Sequence, residues 1–562
     1  MSIRPFAWEK TYPPTLSWDA PLEITTLREM FDKAVSAFSS RPVLDFRERR
    51  MSFAELGQKV DAAASAFIAL GHGREKPIAL YLPNTPYHPI AFFGAAKAGI
   101  PLVSLSPLDA ERELEHKLSD SGARTIVTTN FPGMLPNALT MLERGFVDRV
   151  IVGDDVEWGA APVPTMPIPE SGAVMNFSAL LDGAGPLGAL PPLTADDLAL
   201  LQYTGGTTGM PRAAMLSHGN LTSAVSIYDL WGDATYDALQ DVEKPQIETV
   251  ICALPLFHIY ALTTILLRHV KNGNLILLHL RFDADQTLHD IETKKVTSFP
   301  GVPTMWIALV SRPDIGQRAL SSLTFCGSGG APIPVEVEAR FEQITGLKLG
   351  GGWGMTETSP AGTNIPLYHQ WPRGTIGVPL PGIEMDIAAL DDPSRVLAPG
   401  ETGELRIRGP NVTKGYWKRP EETARAITPD GFLLTGDIGY MNEAGYFFIV
   451  DRKKDMIISG GFNVYPQMIE QAIYEHPAVE ECIVIGIPDA YRGEAAKAFV
   501  KLREGAPEFT LEELLGFLAD KLGRHEMPAR LEFRDSLPRT AVGKLSKVEL
   551  KQEERRKADE QD

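Results

Sequence analysis

Apolar residues change their spacing repeatedly along this chain, and each change marks an element. Ser52 and Glu55 stand three apart just ahead of Leu56, Val60, Ala64 and Phe67, and Gly71 follows. That pattern predicts a helix opened by a capping box and stopped by glycine. The unbroken apolar run Ile78–Leu82 predicts a buried strand. Ile90 to Ala98, small and apolar, predicts a second helix closed by Gly99, and Leu102–Ser104 and Thr125–Thr128 predict further strands. Strand–helix–strand alternation implies a parallel sheet covered by helices.

From Gly159 to Pro192 the periodicity fades into Gly, Pro and Ala, which reads as a surface excursion leading into a strand at Leu198–Tyr203. The run Val250–Leu267 is nearly long enough to span a bilayer. Pro255, His258, Thr263 and Thr264 interrupt it, and Arg268 and Lys271 flank one end only, so it reads as a buried strand followed by a core helix. Gly403–Trp417 alternates apolar residues with glycines and predicts a small antiparallel unit. Gly445–Val450 predicts a strand closing a large domain. The charged run Asp451–Asp455 then opens a separate α+β module as a hinge. Its expected elements are a helix Gln467–Tyr474, strands Val479–Ile487 and Ala496–Leu502, a helix capped by Thr510 and Glu513, and a strand Leu531–Phe533. The tail after Leu550 is almost all charged and is expected to fray. Domains are therefore drawn at residues 1–452 and 453–562.

Composition narrows the function classes. A length of 562 residues exceeds one compact core. The 44% hydrophobic and 22% charged content is that of an ordinary globular protein. A formal net charge of −18 excludes nucleic acid as the main partner, although a local basic pocket for a nucleotide is unaffected. Cys252, Cys326 and Cys482 are odd in number and widely spaced, which gives no disulfide framework or zinc spacing and points to a reducing, cytoplasmic setting. Met1–Lys10 lacks the apolar core of a signal peptide. Peripheral contact with the inner face of a membrane, and a homodimer, stay open.

Candidate chemistry sits in five segments. Tyr203-Thr-Gly-Gly-Thr-Thr-Gly-Met-Pro-Arg212 follows a predicted strand. Its glycines let backbone amides approach phosphate oxygens, its threonines add donors, and Arg212 adds a fixed positive charge. It lacks the Gly-Lys-Ser/Thr ending of a Walker A loop, and taken alone it is equally a tight turn. Cys326-Gly-Ser-Gly-Gly-Ala-Pro332 is a second glycine-rich loop after a strand. Gly352-Trp-Gly-Met-Thr-Glu357 gathers an aromatic face, a hydroxyl and a carboxylate, suited to an adenine, a phosphate oxygen and Mg²⁺; Trp353 taken alone would ordinarily be a core aromatic. Thr435-Gly-Asp437 with Asp451-Arg452 offers a carboxylate for ribose hydroxyls, or an ordinary turn aspartate. Leu537-Pro-Arg-Thr-Ala-Val-Gly-Lys544 sets a lysine on a turn, where a solvated charge is the ordinary reading. No Ser-His-Asp or Cys-His nucleophile pattern competes with these.

Together these segments resemble the adenylate-forming superfamily of acyl-CoA synthetases, peptide-synthetase adenylation domains and beetle luciferases. The likeness covers nearly the whole chain with its motifs in family order. Gln202–Gly209, Leu254-Pro-Leu-Phe-His-Ile259, Asp451-Arg-Lys-Lys-Asp-Met-Ile457 and Ser459-Gly-Gly-Phe-Asn-Val-Tyr-Pro466 look most like the long- and medium-chain fatty acyl-CoA ligases. There are departures. Arg212-Ala213 replaces the usual lysine-glycine, Trp353 stands where tyrosine is more usual, and Gly350 and Gly351 fill a stretch that is often acidic or glutamine-bearing. Ser106-Pro-Leu108 replaces Asn-Pro-Leu.

The resemblance implies an α/β multidomain fold. It has a large N-terminal domain of two packed α/β subdomains plus a small β-barrel-like subdomain, and a small mobile C-terminal α+β domain. It implies an AMP-forming acid–thiol ligase that takes a small carboxylic acid, ATP with Mg²⁺, and coenzyme A. A carboxylate is a poor acyl donor, since its leaving group would be oxide; attack on the α-phosphate gives an acyl-AMP, from which a thiol then displaces AMP. Thr204, Gly205, Gly206, Thr207, Thr208 and Gly209 would cradle the β- and γ-phosphates, with Thr208 and Glu357 the Mg²⁺ ligands. Gly330, Ala331 and Pro332 would line the adenine and Trp353 would stack on it. Thr356 would touch the α-phosphate, Asp437 and Arg452 the ribose, and Lys544 would bridge the acyl carboxylate and the α-phosphate. His258 would orient that carboxylate or line the acyl channel. For the second half-reaction Lys454 would be the hinge, and Gly460 and Gly461 would approach the pantetheine thiol.

Phe257, Ile259, Tyr260, Val302 and Gly329, with Leu262 and Met305, would form an apolar acyl pocket. Members of the superfamily that activate amino acids carry an aspartate at or beside the position of His258; none stands here, and the resemblance therefore disfavours an amino acid substrate. A medium- to long-chain fatty acid is the expected substrate; a medium-chain dicarboxylic acid, an aromatic acid, or loading of a separate carrier protein are the alternatives. A catalytically dead nucleotide-binding regulator is a rival from another class, disfavoured by Glu357, Asp437 and Lys544. Light emission of the luciferase type ranks last.

Overall fold

Local capping chemistry starts the fold. In the computed structural model, which describes residues 4–159, 163–204, 211–239, 242–331, 333, 335–459, 462–489, 492–539 and 545–559, Thr26 caps α1 (Leu27–Phe38) by accepting from the Glu29 N–H. Ser52 and Glu55 form the reciprocal capping box that opens α2 (Phe53–Ala69). Helix α3 (Tyr87–Ala98) is buried along nearly its whole length and ends at Gly99 in the left-handed region, φ 71°. A Cβ at Gly94 would stand 2.6 Å from the Ala63 Cβ, so the glycine is what lets α3 press onto α2.

The chain groups into two compact units, residues 1–384 with 407–433, and residues 385–406 with 434–562. In the first unit the strands are β1 (Pro42–Phe46), β2 (Arg49–Ser52), β3 (Ile78–Tyr81), β4 (Leu102–Leu105), β5 (Thr125–Thr129), β6 (Arg149–Gly153), β7 (Val174–Asn176), β8 (Leu198–Thr204), β9 (Arg212–Ser217), β10 (Thr249–Cys252), β11 (Leu275–Leu278), β12 (Ser298–Gly301), β13 (Phe325–Ser328) and β14 (Gly350–Gly351). They build two seven-stranded sheets, ordered β7-β6-β5-β3-β4-β8-β9 and β14-β13-β12-β10-β11-β1-β2. Each is parallel except for one antiparallel edge strand, β9 or β2. Two short strands, β15 (Thr363–Asn364) and β16 (Val378–Pro379), pair separately.

Both faces of these sheets are covered, which is why their strands read as unbroken apolar runs. In β3, Ile78 and Leu80 join a central core with α1–α3, while Ala79 and Tyr81 join a second core on the opposite face. In β10, Val250 and Cys252 enter the same central core and Ile251 a third one. The central core thus belongs to both sheets. The apolar stretch from Val250 becomes β10, a turn, and helical turns from Ile259 to Lys271, with a π-helical segment at Leu262–Leu267. Among the described residues, no helix is long and apolar enough to cross a membrane. The excursion read over Gly159–Pro192 contains β7 and a helix at Phe177–Asp182, capped by the Asn176 side chain. Three residues of strand are too few to leave a period, and pairing with β6 supplies what the sequence pattern lacks.

The second unit holds a four-stranded sheet, β17 (Glu384–Ala388), β18 (Gly403–Arg408), β19 (Leu433–Met441) and β20 (Phe447–Arg452), in that order. A second sheet has β21 (Ile457–Ser459), β22 (Phe462–Val464), β23 (Val479–Asp489), β24 (Gly493–Leu502) and β25 (Arg530–Phe533), ordered β22-β21-β24-β23 with β25 beside β24. The charged tail corrects the expectation of fraying, because it forms a docked helix, Val548–Asp559. Leu550 is buried, and Glu554 reaches the buried Lys497 at 2.9 Å. Lys551 pairs with Asp455 at 2.6 Å. A charged helix docks when its partners already wait in the neighbouring strands.

Candidate active site

Thr204 and Arg212 face one another across the antiparallel pair β8–β9. Gly205, Gly206, Thr207, Thr208 and Gly209 lie outside the described residues, as do Pro332, Gly460, Gly461 and Lys544. Arg212 makes three contacts within its own unit. Its Nη1 donates to Glu422 at 3.0 Å, its Nη2 donates to the Tyr416 hydroxyl at 2.8 Å, and its guanidinium lies over the Tyr416 ring at 3.8 Å. Tyr416 in turn donates to Glu357 Oε1 at 2.8 Å. Strand β9 is thereby tied to the carboxylate expected to hold Mg²⁺.

Glu357 sits in a 3₁₀ turn, Thr356–Thr358, and is buried. Its carbonyl accepts from the Thr413 N–H at 2.7 Å, and the Thr413 hydroxyl donates to the carbonyl of Met215 in β9. Asn411 donates to the carbonyls of Thr358 and Ala361 and locks the end of the turn. Trp353 is buried; a Cβ at Gly362 would stand 2.6 Å from its ring, so glycine there makes room for the indole. Trp353, Thr356 and Glu357 therefore share one turn whose main chain is held by side chains.

The segment before the π-helix is fixed from the other sheet. The Phe257 carbonyl accepts from Ser104 Oγ in β4 at 2.8 Å and from Gln202 Nε2 in β8 at 3.0 Å. His258 caps the following turn, its Nδ1 accepting from the Tyr260 N–H at 3.3 Å, which places the proton of the neutral ring on Nε2. The buried Asn84 donates to the carbonyls of Cys252, Leu254 and His279 and accepts from the Leu256 N–H. Ile259 and Val302 are buried beside Tyr260 and Met305 in the central core. A Cβ at Gly329 would meet the Tyr260 ring at 2.9 Å. Gly330, φ 84°, and Ala331 are exposed at the end of β13.

In the second unit, Asp437 and Arg452 are register partners on β19 and β20, and Arg452 Nε meets Asp437 Oδ1 at 2.5 Å. Asp437 is buried while Arg452 is half exposed. Asp451 is buried too. It accepts from the N–H groups of Arg452 and Gln467, and burial pushes its carboxyl above the usual carboxylate range. Burial holds the Lys454 ammonium below the usual lysine range. Arg539 and Leu545, which flank residues 540–544, form an antiparallel bridge.

The family model described as AMP-binding enzyme matches residues 31–417, and the one described as AMP-binding enzyme C-terminal domain matches residues 468–544. The chain belongs to the AMP-binding enzyme family. It is 37% identical to a long-chain-fatty-acid–CoA ligase of Bacillus subtilis, over 97% of this chain and 98% of that protein. It is also 37% identical to the protein of that name from Escherichia coli O157:H7, over 98% and 99% of the two chains. The ATP-bound structure of MatB from Rhodopseudomonas palustris superposes with a TM-score of 0.82 at 27% identity, covering 94% of this chain and 99% of that one.

In this AMP-binding enzyme, sequence reasoning overlooked Tyr416, Asn84 and Asn411. Their work is hydrogen bonding between segments far apart in the chain, which leaves no local pattern. An open cavity of about 500 Å³ adjoins Tyr416, with Lys414 and Arg419 in its lining. Lys414 is paired with Asp196 and Arg419 with Asp120, so its walls are not an unoccupied anion cradle. The thiols of the buried Cys252 and Cys326 are pushed far up by burial and are poor nucleophiles.

Proposed function

We propose that this chain is an AMP-forming acid–thiol ligase that activates a medium- to long-chain fatty acid with ATP and transfers the acyl group to coenzyme A. The observation that carries the reading is the tie from β9 through Arg212 and Tyr416 to Glu357, in a chain that aligns over 97% of its length with a fatty-acid ligase. Thr204–Gly209 cradles the phosphates, Trp353 stacks on the adenine, and Asp437 with Arg452 holds the ribose. His258, presented by the clamped Phe257 turn, faces the acyl carboxylate. Lys544 serves adenylation and gives way when the thiol attacks, with Lys454 as the pivot.

The residues present fit Mg²⁺. One buried carboxylate, with phosphate oxygens and water in the remaining positions, is how this ion is usually held. Among the described residues, no cluster of three or more histidine, cysteine or carboxylate side chains offers a dedicated metal cage. When bound, the ion would neutralise charge on the departing pyrophosphate. Glu357 would hold it, with Thr208 the second ligand.

A substrate panel tests the assignment. AMP release with CoA should rise in kcat/KM from acetate through medium- and long-chain acids and stay low for dicarboxylic and benzoic acids; the reverse order would overturn it. Preferential transfer to a carrier protein over CoA would favour the loading alternative. The pocket has its own test in Gly329→Ala. The added methyl must displace the Tyr260 ring, and such overpacking costs about 1–3 kcal/mol. The expected result is a loss of roughly 5- to 100-fold in kcat/KM for long acids with the KM for ATP unchanged, read from initial rates.

A further inference from the structure

We propose that Tyr416 is a positioning residue for Glu357, and that Arg212 serves to orient Tyr416. The proposal rests on the assignment of Glu357 to Mg²⁺ above. It begins with the polarity of one hydroxyl. A guanidinium can only donate, so the Tyr416 oxygen receives a hydrogen from Arg212 Nη2 and must aim its own proton elsewhere. That proton goes to Glu357 Oε1, 2.8 Å away. The hydroxyl therefore has one orientation, and it addresses the carboxylate as an acceptor. The bond uses Oε1 only, and the planarity of the carboxylate then fixes the direction of Oε2.

The ring has little freedom of its own. Tyr416 is 3% exposed, its N–H donates to Thr423 Oγ1 at 2.9 Å, and its backbone bridges to Ala214 in β9. The Arg212 guanidinium closes one face. Its Nη1 is anchored on Glu422, and its Nε has no hydrogen-bond partner among the described residues. This arrangement also explains the departure in the phosphate loop. A lysine at position 212 would offer a point charge, whereas the arginine fork holds Glu422 and Tyr416 at once and stacks on the ring.

The test measures equilibrium binding in the absence of any acid substrate, so that catalysis plays no part. ATP affinity is measured by calorimetry in excess Mg²⁺ and again in EDTA, with AMP as a ligand that needs no metal. Glu357→Gln should abolish the gain in ATP affinity that Mg²⁺ brings. Tyr416→Phe, which keeps the ring under Arg212, should cut that gain at least fivefold while leaving the EDTA value and the AMP affinity unchanged. Arg212→Lys should give a partial loss of the same gain. If Glu357→Gln leaves the Mg²⁺ gain intact, the metal assignment itself is wrong. If Glu357→Gln abolishes it and Tyr416→Phe does not change it, the positioning role is wrong. A Tyr416→Phe protein that loses AMP, EDTA–ATP and Mg²⁺–ATP affinity in equal proportion has lost structure rather than positioning, and that result also overturns the proposal.

Discussion

Lys544→Ala is expected to lose adenylation while still converting supplied acyl-AMP and CoA to thioester. Attack of one anion on another is the difficulty of the first half-reaction, and a cation bridging the acyl carboxylate and the α-phosphate answers it. Removing one such preorganised group costs roughly 10²- to 10³-fold in rate. The second half-reaction starts from an adenylate already formed and has no such requirement. The substitution should leave the fold intact, because the anchors of this loop lie outside it. Arg539 bridges to Leu545, the Ser546 N–H donates to the Pro538 carbonyl at 2.8 Å, and Lys547 pairs with the half-buried Glu470 at 3.0 Å. Acid-dependent ATP–pyrophosphate exchange should therefore collapse with thermal stability unchanged, while thioester formation from synthetic acyl-AMP persists. Equal loss of both half-reactions would sink the two-stage reading.

Much of the frame was legible because it is written in short-range chemistry. The capping boxes at Ser52–Glu55 and Thr510–Glu513 are three-residue patterns, and both open helices where expected. The run at Ile78–Leu82 could be read as a strand with two buried faces because every residue in it is apolar. The site was legible for a different reason. Its segments are individually ambiguous, and only their joint order suggested one chemistry. What could not be read depends on distant partners. Tyr416 is one aromatic residue among many until Arg212 and Glu357 are seen on either side of it. The tail helix looks like a solvated charge run until Lys497, Arg534 and Asp455 supply counter-charges from other elements. The π-helical turn at Leu262–Leu267 has no sequence period at all.

Gly354→Ala should disable nucleotide binding more thoroughly than substitution of most side chains in the turn. A Cβ built at Gly354 falls 1.4 Å from the Pro360 carbonyl oxygen and 2.6 Å from its carbon. These are backbone atoms, and no rotamer change can relieve the overlap. Pro360 cannot retreat easily, because the next carbonyl, that of Ala361, and that of Thr358 are both bound by Asn411. The neighbouring Gly352 is as tightly placed, with the Thr363 carbonyl oxygen at 2.2 Å from a built Cβ. One methyl group must therefore push apart the two limbs that hold Trp353, Thr356 and Glu357. Overpacking costs about 1–3 kcal/mol and more where backbone must move, so ATP affinity should fall by about 100-fold or more. Gly374→Ala is the matched control. It is also in the first unit, with φ 76° and no atom within 4 Å of its built Cβ. It should cost only the 1–2 kcal/mol of a left-handed alanine and leave ATP affinity unchanged. Calorimetric titration of both variants separates the two causes, since Gly374 alone of the pair has a left-handed φ and Gly354 alone has the backbone overlap. Wild-type ATP affinity in Gly354→Ala would show that this turn does not shape the nucleotide site.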